Sequence, residues 1–257
     1  MIEAAEYQLF RESKKKPKTL DRLKQGWNCF CKHIGMEDWR FTDKINTTRE
    51  YRPEAISNAD VVKMLEFCKH AAETAKTVTE RVRWSRIEIM MLLGWGSGFR
   101  SCEYGNATFE EIINTGFVTI RNSKHDGTRR VPVTDETQEA VSRLKAILHE
   151  NGLAPKNGGI FEKSNGETYS TSTFRRWLKK VAIACGVSCI VAKTHGLRHR
   201  FAKNFHGFTK DELMLADLMG HKSIETTRKY AEETSENQRK AVLEANNNAR
   251  AILLQAA

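Results

Sequence analysis

The sequence of 257 residues predicts a mainly α-helical fold with one small antiparallel β-sheet. Two patterns support this prediction. Apolar residues recur at three- and four-residue spacing along most of the chain, as in amphipathic helices. One stretch instead alternates polar and apolar residues on both sides of an Asp-Gly pair, as in a β-hairpin: "FVTIRN", "SKHDGT" and "RRVPVT". With 40% hydrophobic residues, the chain can bury one full domain and a small second one.

The N-terminal part predicts a short helical arm. From Thr19 onward, apolar residues at helical spacing end at Gly35; they are Leu20, Leu23, Trp27, Phe30 and Ile34. Residues 36–56 lose this periodicity and include Pro53, which suits a connection between domains. We therefore expect an arm over residues 1–52 and a larger domain over residues 53–257.

The larger domain is predicted to be helical on both sides of the hairpin. "SNAD" at 57–60 is typical of a helix start, and Val61, Val62, Leu65 and Cys68 would form one apolar face. "WSRIEIMMLLGW" predicts a buried helix that "GSG" at 96–98 ends. After the hairpin the periodicity predicts helices at about 136–150, 171–185, 197–206, 210–219, 224–231 and 236–254.

Charge and cysteine content narrow the classes of function. The formal net charge of +10 favours a polyanionic partner, with nucleic acid ahead of an anionic membrane surface. No apolar run approaches the roughly 18 residues of a spanning helix, and the N-terminus lacks a signal-peptide pattern, so we expect a cytosolic protein. The six cysteines are then expected to be free thiols. Cys29, Cys31 and His33 do not have the spacing of a common zinc motif, and we predict no metal site there.

Several polar residues have no packing role in this pattern. Arg100 follows "GSGF" at a break that we expect to precede a helix, where backbone amides and the guanidinium could face an anion together. Glu103, three residues on, could brace Arg100, and His195 and Arg198 would share a helix face. Tyr230 lies among charged residues, and the choice between a surface aromatic ring and a hydroxyl displayed for chemistry stays open at this point. Taken singly, each of these residues also has an ordinary structural explanation without a functional role: Arg100 a surface ion pair, His195 a core histidine and Tyr230 a packed ring.

Taken together, five motifs resemble the tyrosine recombinases of the phage-integrase family over roughly residues 54–232. The motifs are "GFRSCE", "IRNSKHDGTRRVPV", "HGLRH", "LMGH" and "TTRKY", in this order. The resemblance implies a tyrosine-recombinase-like catalytic domain that cleaves and rejoins DNA through a 3′-phosphotyrosine intermediate. It also implies that residues 1–52 are a reduced DNA-clamping domain or the end of a longer one.

The resemblance implies a role for each matching residue. Arg100 and Arg198 would clamp the phosphate, whose transition state gains negative charge. His195 would handle a proton or contact the phosphate, and His221 would donate a further hydrogen bond. Lys124 would protonate the departing 5′ oxygen, and Tyr230 would be the nucleophile. No metal and no cofactor are implied, because these cations supply the positive charge.

The DNA-contacting residues are predicted from their charge and position. Arg129 and Arg130 on the hairpin are expected to position phosphates, and Arg175, Arg176 and Lys179 join them on a predicted helix.

The implied partners are double-stranded DNA and three further copies of the chain. The resemblance implies a homotetramer on two DNA sites, a monomer or weak oligomer without DNA, accessory DNA-bending proteins and no membrane. It also implies a bacterial, phage or mobile-element origin. Two alternatives remain open at this point: a type IB topoisomerase, and a catalytically silent DNA-binding regulator with the same fold.

Overall fold

The computed structural model describes residues 17–42, 55–121 and 128–220. The chain separates into two compact units, Met1–Arg52 and Pro53–Ala257. The predicted helices at 224–231 and 236–254 and the hairpin turn lie outside the described residues. Among the described residues, no helix combines the length and the apolar character needed to cross a bilayer.

The described part of the first unit consists of one helix and a short turn. Helix α1 spans Pro17–His33, and a 3₁₀ turn follows at Glu37–Trp39. The Nε1 atom of Trp27 donates to the Trp39 carbonyl at 2.8 Å, which ties the turn to the helix. Only part of the predicted apolar face is covered: Leu20 is buried, whereas Leu23, Phe30 and Ile34 are exposed.

The second unit is mainly helical, as the periodicity predicted. Its helices are α2 (Asn58–Glu73), α3 (Val78–Gly96), α4 (Phe109–Thr115), α5 (Asp135–Glu150), α6 (Thr171–Ala184), α7 (Thr194–Thr209) and α8 (Glu212–Met219). Six of them begin at a Ser, Thr or Asp whose side chain accepts a hydrogen bond from a backbone N–H of the first turn; the capping residues are Ser57, Thr77, Thr108, Thr134, Ser170 and Asp211. These caps explain why the helices start where they do.

Helix α3 is the central element of this unit. Its stretch from Ile87 to Gly94 is buried on all sides, because α2, α5, α6 and α7 pack around it. The prediction of a buried helix here is confirmed. The predicted inward face of α2 was wrong at Val62, which is 42% exposed, while Val61, Leu65 and Cys68 are buried.

The β-hairpin is also confirmed. Strands β1 (Phe117–Arg121) and β2 (Thr128–Pro132) pair in antiparallel fashion, with Val118 opposite Val131 and Thr119 opposite Arg130. Side chains alternate between the two faces of a strand, so buried Val131 and Arg129 share the inner face while Arg130 points outward. This alternation decides which hairpin arginine can meet a ligand in solvent.

Helix α8 packs on α7 through a small second core. Phe201 and Ala202 of α7 contact Leu215 and Met219 of α8. Helix α8 also contacts β2. The C-terminal end of α8 is thereby held next to the hairpin and to α7, where the candidate site lies.

Candidate active site

The candidate site begins where α3 ends. Gly98 adopts a left-handed φ of +69°, and a Cβ there would lie 2.4 Å from the Phe201 ring, so this reversal of the chain requires glycine. The next residue, Phe99, is buried and stacks on Tyr104 with ring centroids 6.1 Å apart. The loop therefore rests on an aromatic base and presents Arg100 at its edge.

The prediction that a helix follows Arg100 was wrong. The Glu103 amide donates to the Arg100 carbonyl at 2.9 Å, and only a 3₁₀ turn, Tyr104–Asn106, follows. The Arg100 amide donates to the Glu103 Oε2 atom at 2.7 Å, so the Glu103 carboxylate lies against the backbone of this turn. No helix N-terminus contributes amides to an anion at this position.

Glu103 is the buried centre of the site. Its Oε1 atom accepts from Arg100 Nη1 at 2.9 Å and from Arg129 Nη2 at 2.8 Å, and Arg198 Nη1 lies 3.9 Å from its Oε2 atom. Burial alone would raise the pKa of this carboxyl, but hydrogen bonds from Arg100 and Arg129 and the positive charge of Arg129 hold it below its ordinary value. Glu103 is therefore an ionised counterion that the arginines share.

Three guanidinium groups meet the C-terminal end of α8. Arg129 Nε donates to the Leu218 carbonyl at 3.0 Å, Arg198 Nη2 to the Met219 carbonyl at 2.6 Å, and Arg100 Nη2 to the Gly220 carbonyl at 3.0 Å. The last carbonyls of a helix have no partner within the helix and carry a partial negative charge. The three arginines satisfy consecutive carbonyls and match that charge.

Helix α7 supplies the remaining described residues. Gly196 allows its first turn to approach the preceding loop, since a Cβ there would lie 2.1 Å from the Val191 carbonyl oxygen. Arg198 is 1% exposed and its Nη1 atom donates to the Gly98 carbonyl at 2.6 Å, which joins α7 to the end of α3. His195, one turn earlier, keeps part of its surface open to solvent. Arg200 points elsewhere and donates to the Ile56 carbonyl.

Arg100, His195 and Arg198 line one cavity of about 200 Å³; the other lining residues are Phe99, Ser101, Cys102 and Thr194. Partial burial of the His195 ring, together with the positive charges of Arg198 and Arg100, lowers the pKa of His195 below its ordinary value of 6.5. The imidazole is consequently neutral near pH 7 and can accept a proton beside two cations. Such a cavity suits a tetrahedral anion.

The other predicted catalytic residues, Lys124, His221 and Tyr230, lie outside the described residues. The last described residue, Gly220, directly precedes His221 in the sequence. Within the described ranges, no group of three or more His, Cys, Asp or Glu side chains is arranged to hold a metal ion.

A comparison with protein-family models gives one match of direct relevance. The model of the phage integrase family matches residues 54–237, which is most of the chain and includes the segment of Tyr230. The chain belongs to this family.

Relatives of this phage-integrase-family chain include Xer recombinases. The tyrosine recombinase XerA of Pyrococcus furiosus is 30% identical over 165 residues, which cover 63% of this chain and 55% of XerA. The tyrosine recombinase XerD of Bradyrhizobium diazoefficiens is 25% identical over 185 residues, which cover 69% of this chain and 58% of XerD. The chain thus spans a little more than half the length of these relatives.

Solved structures share the fold. The Tn1549 transposon integrase in complex with transposon right end DNA matches with a TM-score of 0.68 at 17% identity, covering 93% of this chain and 83% of that one. The XerA recombinase matches with a TM-score of 0.57 at 19% identity, covering 94% of this chain and 81% of that one. The fold is that of tyrosine recombinase catalytic domains.

The residues predicted to contact DNA divide into two groups in this family member. Arg130 is exposed on β2 with its guanidinium 4.5 Å from the Phe117 ring centroid, and three more cations lie exposed on α6: Arg175, Arg176 and Lys179. Arg129 instead turns inward to Glu103 and Leu218, with 13% of its side chain exposed. Side chains alternate between the two faces of a strand, so Arg129 lies on the same face as buried Val131 and Arg130 on the opposite face. This alternation in the sequence could have predicted the difference between the two arginines.

Sequence reasoning also missed groups that complete the site. The carbonyls of Gly98, Leu218, Met219 and Gly220 bind the arginines, but backbone carbonyls leave no mark in residue types. Cys102 also lines the cavity, although it had no predicted role within "GFRSCE", and so does Thr194, which directly precedes "HGLRH". Thr194 could have been found from the sequence, because it is the first residue of helix α7, which was predicted to begin only at residue 197.

Proposed function

We propose that this chain is a site-specific recombinase that cleaves and rejoins DNA strands through a covalent bond between Tyr230 and a 3′ phosphate. The convergence of Arg100, Arg198 and His195 on one cavity, around a shared buried carboxylate, carries this proposal. Family membership supports it, because the matched residues continue past Tyr230 to residue 237. The relatives named above are tyrosine recombinases.

In the first step the phenol oxygen of Tyr230 attacks the phosphorus, a new P–O bond forms, and the bond to the 5′ oxygen breaks. The phenol proton passes to His195, whose lowered pKa leaves it neutral and able to accept. The departing 5′ oxygen takes a proton from Lys124. Arg100 and Arg198 stabilise the extra negative charge on the non-bridging oxygens, because they are already fixed at the cavity before the charge develops.

In the second step a 5′ hydroxyl of another strand attacks the same phosphorus. The P–O bond to Tyr230 breaks, the phenol regains its proton from His195, the hydroxyl proton passes to Lys124, and the strand is rejoined to a new partner. The phosphotyrosyl bond stores the energy of the original phosphodiester, so the exchange needs no external energy source.

Double-stranded DNA is the proposed substrate. The net charge of +10 and the exposed cations on β2 and α6 support a polyanionic partner. A Tn1549 integrase structure of the same fold contains transposon DNA. We extend the proposal to a homotetramer on two DNA sites, with accessory DNA-bending proteins as further partners and residues 1–52 as an arm that clamps DNA.

Covalent trapping tests this function. The chain is incubated with a library of random duplexes, each carrying a nick close to the cleaved phosphate, so that the short 5′ fragment diffuses away and rejoining fails. Denaturing electrophoresis should reveal protein joined to DNA for the wild type and not for Tyr230→Phe, because phenylalanine has no attacking oxygen. A covalent product of the same yield from Tyr230→Phe would refute Tyr230 as the nucleophile. A wild type that binds DNA without forming any product would refute the recombinase function.

A further inference from the structure

Arg129 makes its contacts on the inner face of strand β2, whereas its neighbour Arg130 is exposed on the outer face. Its Nη2 atom binds Glu103 Oε1 at 2.8 Å, and its Nε atom binds the Leu218 carbonyl at 3.0 Å. These two bonds use two different nitrogens of one planar guanidinium, an arrangement that a lysine with its single nitrogen could not reproduce. Arg129 therefore links β2 to the turn after α3 and to the end of α8.

The contacts of Arg129 also reach the phosphate clamp. Glu103 Oε1 accepts from Arg129 and Arg100 at once, so the position of this oxygen depends on both cations. Arg100 in turn donates to the Gly220 carbonyl, two residues after the carbonyl that Arg129 holds. A change at Arg129 is thus transmitted to Arg100 through the carboxylate and to the residues before His221 through helix α8.

We propose that Arg129 is a positioning residue for DNA cleavage and makes no contact with a DNA phosphate. It fixes Glu103, and through Glu103 the guanidinium of Arg100, and it anchors the end of α8 from which the chain continues to His221. The inference rests on the proposed function for its effect on cleavage. Its structural part, the anchoring of α8, holds independently of that function.

The salt dependence of DNA binding separates this role from a phosphate contact. Each phosphate contact contributes a slope of about 0.9 to the fall of log K with log salt concentration. Arg129→Gln should leave this slope at the wild-type value, whereas Arg130→Gln, on the next residue and the outer face, should reduce it by about 0.9. A reduction of about 0.9 for Arg129→Gln would overturn the proposal.

Single-turnover cleavage of the nicked duplex tests the positioning role. With DNA at saturating concentration, Arg129→Gln should slow formation of the covalent product by roughly 100-fold, since small misplacements of a clamp residue cost this much. Arg129→Lys keeps the charge but cannot contact Glu103 and the Leu218 carbonyl from two nitrogens, so it should recover only part of the rate. If Arg129→Gln cleaves at the wild-type rate once saturated, the residue does not position the clamp.

Hydrogen exchange gives a readout that needs no activity. The backbone amides of residues 212–220 should exchange faster in Arg129→Gln than in the wild type or Arg130→Gln, because the end of α8 loses an anchor. Circular dichroism of each variant checks that the remaining fold is intact. Unchanged exchange at the end of α8 would refute the anchoring even if the wild type forms no covalent product, so failure of the inference and failure of the proposed function give different results.

Discussion

At the scale of single residues, Glu103 shows how a buried acid can organise three cations. It is 2% exposed and accepts from the Arg100 amide, the Arg100 side chain and Arg129. Like charges so close together would repel each other without a counterion, and an isolated carboxylate in this place would be costly to bury. The carboxylate and the guanidiniums stabilise one another, which holds the three arginines together at this place.

Replacement of Glu103 by Gln should therefore lower the free energy of unfolding at pH 7 by about 3 kcal/mol, because the buried arginines lose their counterion. The folded pKa of Glu103 lies below the ordinary 4.5, so its stabilisation is complete above pH 4.5 and is lost as the pH falls through the folded value. Glu103→Gln should accordingly lose less stability in acid than the wild type. Urea unfolding at several pH values measures both effects, with Glu139→Gln, at an exposed position on α5, as the control.

A Glu103→Gln variant as stable as Glu139→Gln at pH 7 would mean that the carboxylate is not the counterion of the clamp. An unchanged acid dependence in Glu103→Gln would show that other carboxyls account for the loss of stability at low pH.

At the scale of elements, the end of α8 is constrained both by its backbone conformation and by a close side chain. Gly220 adopts a left-handed φ of +60°, and a Cβ there would lie 2.8 Å from the Nη1 atom of Arg129. Glycine is favoured in this position after a helix because other residues are strained in it. Here the approach of Arg129 adds a steric reason to the conformational one.

Gly220→Ala and Gly152→Ala form a matched pair that separates these two reasons. Gly152 has a similar φ of +65° but nothing within 4 Å of its added Cβ, so its substitution should cost only the strain, about 1 kcal/mol. Gly220→Ala should cost about 1–3 kcal/mol more, because Arg129 must shift and weaken its buried hydrogen bonds. Chemical denaturation gives both values. Equal losses would show that Arg129 moves aside freely.

Several elements could be predicted from the sequence because their signals are local. The helices with clear periodicity and the two strands on either side of the Asp-Gly pair were found within a few residues. Helix α4 was missed because seven residues, Phe109–Thr115, are too few for a periodic pattern to emerge. The helix expected after Arg100 was wrong: the backbone there closes only short turns, in which the Glu103 and Asn106 amides donate to carbonyls three residues earlier.

The site itself was predictable only in part. Residue types and motif order predicted that Arg100, Glu103, His195 and Arg198 belong to one site. In the structure Arg100, His195 and Arg198 line one cavity, and Glu103 is the counterion of the two arginines. The capture of three consecutive carbonyls by arginines from β2, α7 and the loop after α3 depends on tertiary packing. Such contacts join positions up to 120 residues apart and leave no periodic signal.

At the scale of the whole molecule, a rigid interior supports a charged surface. The central helix α3 is packed by four other helices, and its end delivers the loop that carries Arg100. Helix α6 buries Phe174 and Leu178 against this core and turns Arg175, Arg176 and Lys179 to solvent. The apolar face fixes where the cations lie, so they form a patch with a defined position relative to the core.

This patch on α6 should supply a measurable share of DNA affinity. Replacing Arg175, Arg176 and Lys179 together with Gln should reduce the slope of log K against log salt by about 2 to 3, if each cation neutralises one phosphate. A control variant removes the same total charge from exposed lysines elsewhere: Lys76, Lys145 and Lys156. Fluorescence anisotropy with a labelled duplex at several salt concentrations gives the slopes. If both variants lower the slope equally, affinity follows net charge and α6 is not a DNA-binding surface; a loss confined to the α6 variant assigns the contact to that helix.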